Sequence, residues 1–113
     1  YVVMSNHYHL IVKTPEPNLS QGMHWLQSTV ATRFNLYRSE RGHMFQGRFQ
    51  ALPIEDHRVM GHVIDYVHLN PVRAKIVTPG EVGFYPWSSL NRFLQRGRVP
   101  GLDPKGALEG RGW

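Results

Sequence analysis

Residues 1–13 read YVVMSNHYHLIVK, two β-prone runs (1–4 and 7–13) on either side of Ser5-Asn6. Serine and asparagine turn a chain readily because their short side chains hydrogen-bond nearby backbone, so the stretch predicts a tight antiparallel hairpin. Successive strand side chains alternate between faces, which puts His7 and His9 on one face and Tyr8 and Leu10 on the other. Two imidazoles placed this way form half of a site for a divalent ion. H-x-H alone is a weak signal, and the plainer reading is the wet face of a half-buried strand.

Working outward, Thr14-Pro15-Glu16-Pro17 interrupts the hairpin, since proline fixes its own backbone and lacks a donor. Asn18 with Gln21 reads as a capping box. Behind it, Leu19, Met23, Leu26, Val30, Phe34 and Tyr37 recur at helical spacing, predicting an amphipathic helix that ends near Arg38. Residues 44–54, MFQGRFQALPI, are extended in character and predict one bent strand or two short ones, with Gly47 marking a bulge and Pro53 an exposed end. Glu55-Asp56 suit the start of a second helix, whose buried stripe is Val59, Met60, Val63, Ile64 and Val67 and which Pro71 stops at Asn70. Pro79-Gly80 turns the chain into residues 84–89, FYPWSS, where Ser88 or Ser89 opens a short helix through Leu94. From Gln95 onward glycine, proline and arginine dominate, and a flexible tail is expected. The expected organisation is one domain over residues 1–90 and a basic tail over 91–113.

The chain has 113 residues, 41% of them hydrophobic, which is enough for one modest core. It has no cysteine, which excludes disulfides, thiolate metal sites and cysteine nucleophiles; a cytoplasmic protein is the default expectation. No apolar run approaches the ~20 residues that span a bilayer, so no membrane segment is expected. The opening on strand-like residues at Tyr1 reads as a truncated start. A net charge of +5 favours a polyanionic partner, nucleic acid first, with a merely basic surface as an even alternative.

The second chemical signal is Asp65-Tyr66-Val67-His68-Leu69-Asn70-Pro71. On a continuous helix Tyr66 and Asn70 stack on one face, with His62 one turn earlier. A phenol held near a metal is what a phosphoryl-transfer nucleophile needs. A lone tyrosine at a helix–sheet seam with its hydroxyl in water is the commoner case.

Taken together, YVVMSNHYHLIVKTPEPNLSQGM, HMFQGRFQA, DYVHLNPVRAKIV and YPWSS resemble, in the right order over residues 1–90, the single-tyrosine HUH transposases, in particular the REP-associated tyrosine transposases and their insertion-sequence relatives. The resemblance implies an α+β, ferredoxin-like antiparallel sheet with helices packed on one face, here lacking the family's first strand and helix. It implies that His7 and His9 hold Mg²⁺ or Mn²⁺ against the scissile phosphate and that Tyr66 is the nucleophile. Asn70 would be a third, amide-type ligand, where related insertion-sequence enzymes carry glutamine. The expected activity is that of a single-stranded DNA endonuclease and strand transferase that forms a 5′-phosphotyrosine. Zinc with three protein ligands stays open on chemical grounds.

The expected partner is single-stranded or hairpin DNA, with a homodimer that exchanges tyrosine helices and a monomer both open. Arg48, Arg73 and Lys75 are candidate phosphate contacts. Trp87 and Tyr85 either stack bases or pack onto the core, and Arg92, Arg96 and Arg98 form a solvated basic stretch. The runner-up function is a catalytically inactive DNA-binding remnant of such a transposase. A metal-dependent hydrolase with a water nucleophile would need a carboxylate base, and residues 1–13 contain none.

Overall fold

In the computed structural model, which describes residues 1–39, 41–45, 47–95 and 100–103, the Ser5-Asn6 turn pairs two short strands. β1 (Val2–Val3) and β2 (Tyr8–His9) run antiparallel, Val2 opposite His9 and Val3 opposite Tyr8. The other edge of β1 is occupied by the serine-rich segment. The Val3 amide donates to the Trp87 carbonyl at 2.7 Å, Val2 forms a bridge with Ser88, and the Ser89 amide donates to the Tyr1 carbonyl at 2.9 Å. β1 is therefore satisfied on both sides. Residues 10–13, expected to extend the second strand, lie outside any strand because no described segment pairs with them.

Residues opposite one another share a face, so Val2, His9 and Ser88 lie on one side of the sheet and Val3, Tyr8 and Trp87 on the other. The first side carries the core: Val2, Met4 and Val67 are buried together, with Ile11, Val63 and Tyr85 packed against them. Val67 belongs to α2 (His57–His68), which Asp56 caps by accepting the Arg58 amide at 2.8 Å. Gly61, Ile64 and Val67 form its buried stripe with Met60 and Val63 partly covered, whereas Val59, expected in that stripe, is half exposed.

α2 stops ahead of Pro71 as the proline requires, but the chain at once starts another helical turn, α3 (Asn70–Arg73). Proline is tolerated in a first turn, where its missing N–H has no partner to lose. α3 ends in a paired closure: the Ile76 amide donates to the Pro71 carbonyl and the Lys75 amide to the Val72 carbonyl, both at 2.9 Å. Lys75 takes the left-handed conformation, φ 59°, that glycine usually fills there. A 3₁₀ turn (Val82–Phe84) leads to α4 (Ser89–Leu94), which runs across residue 90 and whose cap is Ser88, its Oγ accepting the Leu90 amide at 3.1 Å.

The chain divides into two units, Tyr1–Ile11 with Pro53–Trp113 and Val12–Leu52. The first holds every strand and helix described above. The second holds α1 (Leu19–Arg38), present as expected but with two differences. Asn18 makes no side-chain cap bond, so the capping box does not form. Of the expected stripe only Met23 is buried, and Val30, Phe34 and Tyr37 are exposed, because this unit contains no other described helix or strand to cover them. None of the described residues of 44–54 forms a strand. Gly47 has φ 82° and Leu52 is exposed, and an extended segment without a paired neighbour leaves its backbone groups to water. Arg96 and Arg98 lie outside the described residues. The described chain is thus a mixed α+β protein with one small antiparallel sheet and four α-helices. Among the described residues no helix is long and apolar enough to cross a membrane.

Candidate active site

The hairpin turn sets His7 two residues before His9, and their rings meet edge to face with centroids 5.2 Å apart. His7 Nδ1 lies 2.7 Å from the Asn6 side-chain oxygen. With the Asn6 oxygen as acceptor Nδ1 is the donor, and in that tautomer the lone pair available to a cation is on Nε2. His9 is half-buried, and its pKa is lowered from the usual histidine value, first by burial and then by repulsion from His7. Both effects favour the neutral imidazole, the form that binds a cation.

Tyr66 closes the group from above. Its ring stands edge to face with His9 at 5.9 Å between centroids, although 45% of the residue remains exposed. Over the same phenol lies the Arg73 guanidinium, its carbon 4.7 Å from the ring centroid. The sequence placed Tyr66 and the two histidines in separate elements, and the packing of α2 on the sheet brings them together within one chain. His62, one turn before Tyr66, is exposed.

Asn70 differs from its expected position. The break at Leu69 puts it in α3 rather than on the helix of Tyr66, and it is buried, 8% exposed, where Tyr66 is open. Its side-chain nitrogen has no hydrogen-bond partner. The unpaired group is a donor, which an acceptor such as water or a phosphate oxygen satisfies, whereas a cation would bind the amide through its oxygen. Among the described residues no three histidine, cysteine, aspartate or glutamate side chains gather at one point. A cation at His7 and His9 therefore has a two-histidine half-site and takes its other ligands from an amide, water or a phosphate oxygen. The donor set fits a divalent ion in that limited sense.

The candidate DNA contacts separate. Arg73 and Lys75 are exposed on and just beyond α3. Arg48 is exposed and belongs to the Val12–Leu52 unit. Trp87 is 63% exposed and belongs to the face opposite His9, because the bridge of Ser88 to Val2 fixes the alternation. Tyr85 is packed against the core, and its hydroxyl donates to the Val3 carbonyl at 2.7 Å. Arg92 is exposed on α4.

Sequence reasoning missed two partners. Asn6 was read only as a turn residue, although a side chain adjoining H-x-H is placed to fix a histidine tautomer. His68 and Ser89 share a buried hydrogen bond of 2.7 Å, and no local pattern links residues 21 apart. Searches of protein-family models, of curated proteins and of solved structures each find no match to this chain.

Proposed function

We propose that this chain is a tyrosine-dependent DNA strand transferase assisted by a divalent metal, a DNA-binding enzyme of recombination and transposition. Within that class, the motifs in series point to the single-tyrosine HUH transposases and to a ferredoxin-like arrangement of the sheet. The observation that carries the reading is the 5.9 Å approach of the Tyr66 ring to His9, itself 5.2 Å from His7. A nucleophile candidate and a cation half-site far apart in sequence meet on one face of the hairpin.

In this reading His7 and His9 hold Mg²⁺ or Mn²⁺, with Asn70 the candidate third ligand. The bound ion would supply charge withdrawal at the scissile phosphate. Tyr66 Oη attacks phosphorus, its proton passing to solvent. The P–O3′ bond breaks, the 3′ oxygen takes a proton from solvent, and a 5′-phosphotyrosine remains. A second 3′-hydroxyl reverses the step on another strand without any nucleotide cofactor, because the tyrosyl phosphodiester conserves the bond. Arg73 and Lys75 position phosphates, and Arg48 and Trp87 are the remaining candidate contacts to single-stranded or hairpin DNA.

The test is incubation of the protein with a pool of single-stranded DNA hairpins and Mn²⁺, followed by denaturing electrophoresis. A covalent protein–DNA band that Tyr66→Phe abolishes is expected. DNA binding without any such band would favour a non-catalytic remnant.

A further inference from the structure

The last turn of α2 meets a single row across the sheet. Tyr66 stands against His9 of β2, Val67 packs in the core with Val2 of β1, and His68 bonds to Ser89, next to the Ser88 that bridges Val2. Three consecutive helix residues thus register on three neighbouring segments of the chain. The middle contact is apolar and non-directional, so it leaves the helix free to rotate slightly. The tyrosine contact is half exposed and soft. Only the His68–Ser89 bond is directional and buried, with His68 6% and Ser89 1% exposed.

Ser89 is itself held on several sides. Its Oγ accepts from the Tyr1 nitrogen at 2.7 Å and lies 3.2 Å from the Tyr1 carbonyl, which also receives the Ser89 amide at 2.9 Å. The His68 ring is braced from another direction by Phe93, edge to face at 5.6 Å. A serine–histidine pair invites comparison with a nucleophile and its base, but burial this complete bars a substrate from Ser89.

We infer that His68 and Ser89 are positioning residues for the nucleophile, their buried hydrogen bond fixing the rotation of the helix that carries Tyr66 against the strand that carries His9. The catalytic meaning of this link rests on the strand-transfer reading; its geometric meaning does not. A small rotation of α2 moves the phenol by on the order of 1 Å, a misplacement that costs about 100-fold at a reacting centre.

The test uses the whole chain and two readouts. The first is the nuclear Overhauser cross-peak between the Tyr66 and His9 rings, measured without DNA or metal. The second is the single-turnover rate of covalent adduct formation at saturating hairpin DNA with Mn²⁺. Ser89→Ala, folded by circular dichroism, is expected to weaken the cross-peak and slow the adduct ~10- to 100-fold while DNA affinity stays within about twofold. His68→Leu should behave alike, and His68→Gln, whose amide reaches the same place as the ring nitrogen, should recover most of both signals. If Ser89→Ala does not fold, Ser89→Cys keeps the volume and weakens the bond. A cross-peak and a rate unchanged in these variants overturn the inference. A parent protein that forms no adduct overturns strand transfer and the catalytic meaning of the link, while the cross-peak still decides the link itself.

Discussion

The guanidinium carbon of Arg73 lies 4.7 Å from the centroid of the Tyr66 ring, on a phenol whose edge already meets His9. An exposed cation–π contact contributes only about 0.5–1 kcal/mol, so Arg73→Gln should leave folding nearly unchanged. In the strand-transfer reading its effect is on DNA binding. Affinity is expected to fall for every sequence alike, and the slope of log affinity against log salt to lose about one unit, as loss of one phosphate contact requires. Fluorescence anisotropy at several salt concentrations measures both. An unchanged slope would remove Arg73 from the phosphate contacts.

Tyr66→Phe deletes a single oxygen from a half-exposed side chain. DNA affinity should stay within about twofold while the covalent adduct disappears, because only the proposed nucleophile is lost. An adduct that survives would transfer the role elsewhere, and Tyr8 and Tyr85 are the tyrosines to examine.

His7→Ala and His9→Ala should each abolish Mn²⁺-dependent cleavage at a stability cost below about 1 kcal/mol, since neither histidine is in the buried core. Asn6→Ala tests the tautomer. Removing the acceptor that fixes His7 Nδ1–H is expected to weaken Mn²⁺ binding about 10-fold, the usual scale for a residue that orients a ligand. Isothermal titration with Mn²⁺ in the absence of DNA gives these affinities directly.

Lys75 occupies a left-handed position at the end of α3. A side chain there costs roughly 1 kcal/mol relative to glycine. Lys75→Gly should therefore raise the midpoint of chemical denaturation while weakening DNA binding, two effects of opposite benefit from one substitution. A variant that is stabilised and binds DNA as tightly as the parent would show that the lysine charge touches no phosphate.

Burial pushes His68 down from 6.5 to about 4. The unfolded chain then binds more protons than the folded chain between those values, so stability rises with pH across that window and falls as pH drops from about 6.5 to 4. The contribution is on the order of a few kcal/mol. Urea denaturation at several pH values should show this slope, and His68→Gln should reduce it without reversing it. The half-buried His9 acts in the same direction, so some slope persists.

Local sequence determined a good deal here. Ser5-Asn6 makes the hairpin, Asp56 and Ser88 cap their helices, and Pro71 ends α2, because each acts on backbone within a few residues. The alternation that puts His7 and His9 on one side was legible for the same reason. What extends through space was not. The described residues of 44–54 have the composition of a strand and form none, since a strand exists only where a neighbouring segment pairs with its backbone. The stripe of α1 was correctly spaced, yet its burial depended on a covering element that spacing does not specify. Asn70, four residues after Tyr66, falls in α3 beyond the break at Leu69 and is buried where Tyr66 is open. Tyr66 beside His9, Arg73 over Tyr66 and His68 on Ser89 all follow from how α2 seats on the sheet. That seating sums many weak contacts between segments distant in the chain, and only tertiary packing decides it.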